Sequence, residues 1–335
     1  MILVTGGTGL VGSHLLYKLA KNKERVRAIY RSEHKLDLVK QVFATYTENY
    51  ESLFNTIEWI QADILDIPSL TEAFKNISHV YHCAAFVSFE PNKYHFLRKT
   101  NIEGTANIVN FCISENIKKL CYVSSIATLG KPITNKQITE KTAWNPEDDN
   151  NVYAITKYGA EMEVWRGTQE GVNAVIVNPG VILGAGIWQY GSGSLFKKAH
   201  KGFKYYTSGT IGLIDVADVT AIMITLMNSD ITNENFVLVA ENWTYKQFLQ
   251  TLAQSVNTKK PKKLASPMLL SFAWRLDWLV HKLTGKRRQL TKNLTSSLKS
   301  ETYYSSNKLK VTLNFDFKSV EKTIYEVGAL YQKQV

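Results

Sequence analysis

The amino-acid sequence predicts an α/β fold, a doubly wound parallel sheet with a smaller, interleaved C-terminal lobe. A strand, a glycine-rich turn and a helix follow one another from residue 2. Apolar strand-like runs then alternate with helical stretches, a pattern typical of parallel sheets with helices on both faces. After Pro179 the pattern changes to stretches rich in glycine and aromatic residues, which favours a second lobe.

The glycine-rich turn indicates a phosphate-binding site. Ile2–Thr5 predicts the first strand and residues 13–20 predict the helix, with Gly6, Gly9 and Gly12 between them. Gly6 allows a sharp turn, Gly9 leaves room for a pyrophosphate, and Gly12 lets the helix pack close to the sheet. The free N–H groups and positive dipole end of that helix attract phosphate. The sequence therefore predicts a dinucleotide site.

Further strand-like runs occupy residues 25–30, 57–62, 79–84, 119–124, 174–178 and 236–239. Residues 36–54 predict one long helical insertion after the second strand. We expect a Rossmann-type dinucleotide-binding domain at 1–180, to which 210–240 returns. Residues 181–209 and 241–335 would form the lobe that binds substrate, with a helix from about Thr244.

The bulk composition is that of an ordinary globular protein, at 335 residues with 44% hydrophobic and 21% charged. A strand beginning at residue 2 predicts no signal peptide, and no apolar run reaches the ~18 residues that span a bilayer. Three cysteines form no C-x-x-C pair, namely Cys83, Cys112 and Cys121. These observations predict a cytoplasmic protein without a metal site.

The end of the second strand predicts which nucleotide binds, because that residue meets the adenosine ribose in dinucleotide folds. Here it is Arg31, followed by Ser32. A guanidinium grips phosphate through two parallel hydrogen bonds, so NADP(H), with its 2′-phosphate, is the predicted cofactor. The nearby carboxylate of Glu33 keeps NAD(H) open as an alternative.

Tyr153 and Lys157 predict an acid–base pair, because residues four apart share one helix face. A cation ~4 Å from a phenol, at an effective dielectric of ~20, favours phenolate by about 4 kcal/mol before desolvation is counted. We therefore expect a lowered pKa for Tyr153, suited to general acid–base catalysis. Another strand ends in Ser124 and Ser125, whose hydroxyls can donate to a carbonyl oxygen.

Taken together, these motifs resemble those of the extended short-chain dehydrogenase/reductases, the NAD-dependent epimerase/dehydratase family. The resemblance covers essentially the whole chain, and further matches lie at residues 63–64, 83–85, 100–105, 178–180 and 214–219. It implies that Tyr153 is the catalytic acid/base and that Lys157 lowers its pKa while holding the nicotinamide ribose. Ser125, rather than Ser124, would orient the carbonyl. For Asn101 the resemblance leaves open a part in a proton relay or a structural bond beneath the site.

The cofactor-binding residues that the resemblance implies are Gly6, Thr8, Gly9, Leu10, Gly12, Arg31, Ser32, Asp63, Ile64, Ala84, Ala85, Tyr153, Lys157 and Pro179. Arg31 and the run 177–184 resemble the residues at these positions in the dihydroflavonol-4-reductase-like and 3β-hydroxysteroid-dehydrogenase-like branches of the family. Aromatic side chains suit a hydrophobic substrate, and the candidate pocket residues, each of which could equally belong to the core, are Phe86, Phe89, Trp188, Tyr190 and Phe196.

The predicted function is hydride transfer between NADP(H) and a ketone or secondary alcohol of a small hydrophobic substrate. One alternative is a nucleotide-sugar epimerase or dehydratase of the same fold that retains its NAD. Another is a non-catalytic NADP(H)-sensing protein, although such proteins typically lack the pair formed by Tyr153 and Lys157. A homodimer is compatible with the sequence.

The formal net charge of +11 belongs to one segment. Residues 259–310 hold thirteen Lys and Arg against two acidic residues, and the rest of the chain is balanced. Apolar residues recur at helical spacing over 268–283, and Lys286, Arg287 and Arg288 follow. The favoured interpretation is a helix packed on the substrate lobe with a solvated basic face. The alternative is peripheral contact of 259–292 with an anionic membrane. No motif that reads nucleic acid accompanies the charge, so a nucleic-acid partner is not predicted.

Overall fold

The computed structural model describes residues 1–131, 137–284, 288, 295–296 and 298–334. Its strands, in chain order, are β1 (Ile2–Thr5), β2 (Val26–Tyr30), β3 (Glu58–Gln61), β4 (His79–His82), β5 (Lys119–Val123), β6 (Ala174–Pro179), β7 (Val181–Leu183), β8 (Tyr205–Tyr206), β9 (Thr210–Asp215), β10 (Glu234–Leu238), β11 (Glu241–Thr244) and β12 (Lys263–Leu264).

The helices are α1 (Leu10–Lys21), α2 (Leu36–Ala44), α3 (Tyr50–Phe54), α4 (Ile67–Phe74), α5 (Tyr94–Leu97), α6 (Gly104–Ser114), α7 (Val152–Gln169), α8 (Gly193–Lys201), α9 (Val216–Met227), α10 (Tyr245–Ser255), α11 (Pro267–Thr284), α12 (Asn307–Leu313) and α13 (Val320–Gln334). A π-helical stretch, Arg98–Glu103, joins α5 to α6.

Within the described residues, a seven-stranded sheet has the order β10-β6-β5-β4-β1-β2-β3. Every pairing in it is parallel, and Ile2 of β1 lies opposite Val26 on one side and His79 on the other. The direction of winding reverses between β1 and β4, and such a switch point opens a ligand crevice outside the carboxyl ends of the strands. The doubly wound α/β fold predicted from the sequence is confirmed.

Two apolar clusters cover the two faces of this sheet. One packs α1, α2 and α9 against the sheet through residues such as Leu16, Phe43 and Met223. The other packs α4, α6 and α7 against the opposite face through residues such as Leu70 and Val164. Strands buried on both faces consist of apolar runs, which explains why the sequence pattern located them.

The insertion after β2 differs from the prediction. Residues 36–54 form two helices, α2 and α3, rather than one. The hydroxyl of Thr45 donates to the carbonyl of Val42 at 2.6 Å, and this side chain competes with the helical ladder where α2 ends. The prediction of a single long helix was wrong because apolar content hid this break.

Beyond β6 the chain builds a smaller sheet in the order β11-β9-β7 and a two-stranded ribbon of β12 and β8. A third apolar cluster packs α8, α10 and α13 around Phe196, Phe248 and Ile324. Of the stretch 210–240, β9 belongs to the smaller sheet, whereas α9 and β10 pack with the larger one. The two sheets are thus interleaved along the chain.

Candidate active site

The glycine turn between β1 and α1 is close-packed at Gly6 and Gly12 and more open at Gly9. Gly6 has φ +68°, and a Cβ there would lie 2.5 Å from the backbone nitrogen of Ala84. A Cβ on Gly12 would lie 2.3 Å from the carbonyl oxygen of Gly6. A Cβ on Gly9 would meet only that same oxygen, at 3.3 Å. Gly6 and Gly12 therefore hold helix and strand together, while Gly9 leaves space at the helix N-terminus.

The remaining predicted residues of this turn also gather around it. Thr8 and Leu10 are half-buried beside Gly9. The hydroxyl of Thr5 accepts a hydrogen bond from the backbone N–H of Ala84, which ties β1 to the end of β4. Ala85 follows and is exposed. The ends of β1 and β4 and the start of α1 thus border one crevice.

Arg31 and Asp63 meet at the ends of β2 and β3. Arg31 Nη1 lies 3.8 Å from Asp63 Oδ2, and both side chains are partly exposed. They line a cavity of about 200 Å³ together with Gln61, Ala62, Asp66 and Ser69. Ser32 is adjacent and half-buried, with its backbone extended. A basic and an acidic group therefore share the place where an adenosine ribose would lie.

Ile64 and Pro179 are buried and support neighbouring elements. Ile64 packs on Gly104 so closely that a Cβ there would lie 2.5 Å from it, and the carbonyl of Ile64 accepts from Asn107. Pro179 ends β6 opposite Leu238 of β10.

Tyr153 and Ser125 are brought together by α7 and the end of β5. Asn151 caps α7 by accepting from the N–H of Ala154, so Tyr153 lies in the first turn. The hydroxyl of Ser125 lies close enough to the Tyr153 phenol to lower its pKa. The backbone N–H of Ala127 donates to Ser125 Oγ at 3.1 Å, which leaves the serine O–H free to donate. A carbonyl oxygen at this point can receive two hydroxyl hydrogen bonds.

Lys157 lies one turn further along α7, buried beside β5. Its Nζ donates to Tyr122 Oη at 2.6 Å and to the carbonyl of Val123 at 2.9 Å. Burial lowers the pKa of Lys157 to about 7, an effect that the carboxylate of Glu161 opposes. Both the neutral and the charged amine are therefore populated near neutral pH.

The predicted lowering of the Tyr153 pKa is wrong for this structure. Burial raises the pKa of Tyr153, and the neighbouring Ser125 hydroxyl offsets only part of that rise. The ammonium of Lys157 is directed to Tyr122 and Val123, so it is not where the spacing argument assumed. Tyr153 and Lys157 share a helix face, but this did not determine where the long, flexible side chain of Lys157 makes its hydrogen bonds.

Ser124 points away from the crevice into a buried polar cluster centred on Glu161. Glu161 Oε2 accepts from Ser124 Oγ at 2.5 Å, from Thr128 Oγ1 at 2.8 Å and from Asn178 Nδ2 at 2.8 Å. Trp165 Nε1 donates to the other carboxylate oxygen at 3.4 Å. The cluster joins α7 to the turn after β5 and to β6, and this turn carries Ser125.

Asn101 is buried in the π-helical stretch, and both ends of its amide have protein partners. Its Oδ1 accepts from the N–H of Phe86 at 2.7 Å, and its Nδ2 donates to the carbonyl of Phe86 at 3.0 Å. Nδ2 also donates to Thr156 Oγ1 at 3.2 Å. Asn101 therefore joins the segment after β4 to α7, and its contact on α7, Thr156, directly precedes Lys157.

The candidate aromatic residues divide between the crevice and the core. Phe89 is exposed and packs edge-on against Tyr153, with ring centroids 5.4 Å apart. Phe86 is half-buried, and Tyr190 is exposed. Trp188 and Phe196 instead pack against each other in the core of the smaller lobe. For these two residues the core alternative is the one observed, and composition could not distinguish a core ring from a pocket ring.

Two buried groups at the site escaped the sequence argument, Glu161 and Tyr122. Glu161 continues the four-residue spacing of Tyr153 and Lys157 along α7, and this spacing was the available indication. Tyr122 precedes Val123 on β5 and carries no motif of its own. Burial raises the pKa of Tyr122 well above its usual value, so it stays a neutral partner for Lys157.

Comparison with known proteins places the chain in a family. Residues 2–238 match the model of the NAD dependent epimerase/dehydratase family. A putative dihydroflavonol 4-reductase of Synechocystis sp. is 26% identical over 336 residues, covering 98% of this chain and 94% of the relative. Sterol demethylase protein B of Methylococcus capsulatus is 25% identical over 274 residues, covering 80% and 78%.

The fold is also shared with solved structures. UDP-glucose 4-epimerase of Thermotoga maritima, solved with UDP-glucose, superposes with a TM-score of 0.76 over 99% of both chains at 19% identity. The matched residues 2–238 run from β1 to the end of β10 and include the glycine turn, Ser125, Tyr153 and Lys157. The chain therefore belongs to the NAD dependent epimerase/dehydratase family, whose members are nicotinamide-dependent enzymes.

Proposed function

We propose that this enzyme transfers hydride between NADP(H) and a ketone or secondary alcohol of a small hydrophobic molecule. The observation that carries the proposal is the placement of the Tyr153 phenol beside the Ser125 hydroxyl at the end of β5. Two hydroxyls converge there on the edge of the sheet where ligands of such folds bind.

The residues around the glycine turn fit a dinucleotide. The N-terminus of α1 has no capping side chain, and Gly9 leaves the space in front of it open. Thr8, Gly9 and Leu10 would hold the pyrophosphate through backbone N–H groups. Arg31 and Ser32 would hold the 2′-phosphate, and Lys157 would hold the nicotinamide ribose. The bound nicotinamide would supply or accept the hydride.

Tyr153 and Ser125 would activate the substrate carbonyl. Ser125 donates to the carbonyl oxygen and fixes its position. As negative charge develops on that oxygen, Tyr153 transfers its phenolic proton to it, which completes the alcohol. A positioned acid of this kind typically contributes ~10²–10⁴-fold in rate. The phenolate that remains on Tyr153 is half-buried, and the charged form of Lys157 would have to turn from Tyr122 and Val123 towards it to stabilise it.

The pKa of Tyr153 supports carbonyl reduction as the direction at neutral pH. Because burial raises that pKa, the phenol is protonated and ready to donate. Alcohol oxidation would require the phenolate instead, which the buried site disfavours.

A hydrophobic substrate is supported by Phe89, which packs on Tyr153, and by Phe86 nearby. Two relatives are named as a putative dihydroflavonol reductase and a sterol demethylase protein. These names support a substrate with a compact ring system and a ketone or hydroxyl group. A second candidate is an epimerase or dehydratase that retains NAD. The carboxylate of Asp63 beside Arg31 favours it, since an acidic group there suits an unphosphorylated ribose.

The test is Tyr153→Phe, with Tyr158→Phe as the control because Tyr158 stacks on Trp144 and has no assigned role. We expect Tyr153→Phe to abolish NADPH oxidation with a panel of cyclic ketones while NADPH fluorescence titration shows unchanged affinity. Retained turnover in Tyr153→Phe would refute the proposal. NAD that stays with the wild type through gel filtration, without ketone reduction, would support the epimerase instead.

A cytoplasmic location is part of this proposal. The thiols of Cys83, Cys112 and Cys121 are all unpaired, as expected in a reducing compartment. In the described part of the chain, none of the helices has the length and apolarity that a membrane span needs.

A further inference from the structure

Helix α11 turns its largely apolar face to solvent and its more polar face to the rest of the protein. Leu270 is its one buried apolar residue, and Asp277 faces the same side, where it pairs with Arg288 at 3.6 Å. The opposite side carries large apolar residues at spacings of four, four, three and four, namely Met268, Phe272, Leu276, Leu279 and Leu283. These five residues, called the apolar stripe below, form one continuous helical face.

The stripe is exposed. Met268 is 84% accessible, Leu283 is 76% accessible and Phe272 is 65% accessible. Leu269 and Val280 widen it on one side. A surface helix normally turns such a face towards the core, so a contiguous exposed apolar face indicates an interaction site. The favoured sequence interpretation is a helix packed on the substrate lobe with a solvated basic face, and in this structure the apolar stripe is exposed as well.

Cations border the stripe. Arg275 and Lys282 are exposed and lie along its other side, each over a tryptophan ring of the same helix. Lys262 and Lys263, just before the helix, are also exposed. Residues 259–310 hold the entire net charge of +11. Lys286, Arg287 and Lys292, which the sequence argument included, lie outside the described residues.

We propose that α11 lies in the surface of an anionic lipid membrane, with the apolar stripe among the acyl chains and the cations at the phosphates. This inference does not depend on the proposed reaction. An exposed apolar face with cations along its border is the pattern of helices that bind in the plane of a membrane. Anionic lipid attracts each nearby Lys or Arg, and the acyl chains accept the apolar side chains.

A second copy of the chain fits this face less well. A two-fold contact brings the same patch against itself, so Arg275, Lys282 and their neighbours would face identical charges. Like charges opposed across an interface disfavour association. The charge of the patch is complementary to anionic lipid and not to itself.

The experiment is sedimentation of the full chain with vesicles of equal parts phosphatidylglycerol and phosphatidylcholine, and with vesicles of phosphatidylcholine alone. We expect binding to the anionic vesicles that weakens with added salt. The triple variant Phe272→Ser/Leu276→Ser/Leu283→Ser should lower the partition coefficient by about a hundredfold. Lys262→Gln/Lys263→Gln should lower it by roughly thirtyfold.

Matched controls change the same residue types elsewhere on the surface. Val311→Ser removes an apolar side chain that is 85% exposed, and Lys322→Gln/Lys333→Gln removes two exposed cations of α13. These controls should bind like the wild type, and thermal unfolding of every variant should match it. The proposal is overturned if the wild type does not sediment with anionic vesicles, or if the triple serine variant binds equally well. A dimer in sedimentation velocity that this variant dissociates, without vesicle binding, would also overturn it in favour of a second copy.

Discussion

Ser124 Oγ lies 2.5 Å from Glu161 Oε2, and both side chains are buried. This bond turns Ser124 towards the interior, so that the next residue, Ser125, faces the crevice and meets Tyr153. Two adjacent serines on an extended chain point in opposite directions. The carboxylate of Glu161 thus determines which serine is available for chemistry.

Substitution of Ser125 should lower activity, whereas substitution of Ser124 should lower stability. We expect Ser125→Ala to lower kcat for ketone reduction by about 10²-fold, because a donor to the developing oxyanion is lost. Ser124→Ala should leave kcat within a few-fold but lower the free energy of unfolding by ~1–3 kcal/mol, since a buried carboxylate loses a donor. NADPH-coupled kinetics and urea unfolding measure both. The opposite pattern would show that Ser124 is the catalytic serine.

Ketone reduction should decline as the pH rises past about 7. The pKa of Lys157 is lowered to about 7, so its stabilising charge is lost above that pH. The phenol of Tyr153 remains protonated there because its own pKa is raised. The pH profile of kcat/KM should therefore show a fall with a midpoint near 7 that Lys157→Met abolishes. A wild-type profile that stays flat between pH 6 and 9 would contradict this.

Glu161→Gln should move that midpoint to lower pH. The carboxylate of Glu161 raises the pKa of Lys157, and the neutral amide removes this attraction while still offering an oxygen to Ser124 and Thr128. A merely structural role for Glu161 would change stability without moving the midpoint. Arg166, further along α7, pairs with Glu163 and Glu170 at its surface, so Glu163→Gln is the control. It should leave the pH profile unchanged.

Lys157→Met should stabilise the protein below pH 7. The amine has a pKa near its ordinary 10.5 when unfolded but about 7 when folded, so the unfolded chain binds more protons between these values. The free energy of unfolding of the wild type therefore rises with pH across that window. Below pH 7 the variant should be more stable by a few kcal/mol, on the order of the pKa difference less two hydrogen bonds. Urea unfolding at pH 6 and pH 9 should show the advantage shrinking at the higher pH.

Cofactor preference should depend on Arg31 and Asp63 in opposite directions. Arg31→Asp should lower kcat/KM for NADPH relative to NADH by roughly 10–100-fold, because a charge-assisted phosphate contact is lost. Asp63→Asn should raise that ratio, because it frees the guanidinium from its 3.8 Å partner. Arg25→Asp makes the same charge change before the opposite end of β2 and should have no effect. An unchanged ratio in Arg31→Asp would remove the phosphate assignment.

Much of the fold could be predicted from local pattern. The first strand has the bounds that the sequence indicated, and the observed α1, Leu10–Lys21, contains the predicted helix 13–20. Strands buried on both faces are largely apolar, and glycines at a tight turn leave a fixed spacing. The break between α2 and α3, near Thr45, was missed because the apolar content of residues 36–54 hid it.

Sequence alone indicated the family, the seven strands of the larger sheet in their order along the chain, and the residue types at the strand ends, because these follow from spacing along one chain. The tertiary structure decided which way the side chains point. It turned Ser124 to Glu161, directed Lys157 to Tyr122, placed Trp188 and Phe196 in a core, and exposed the apolar stripe of α11. The physical reason is that hydrogen bonding and burial depend on partners from distant segments, which no local spacing specifies.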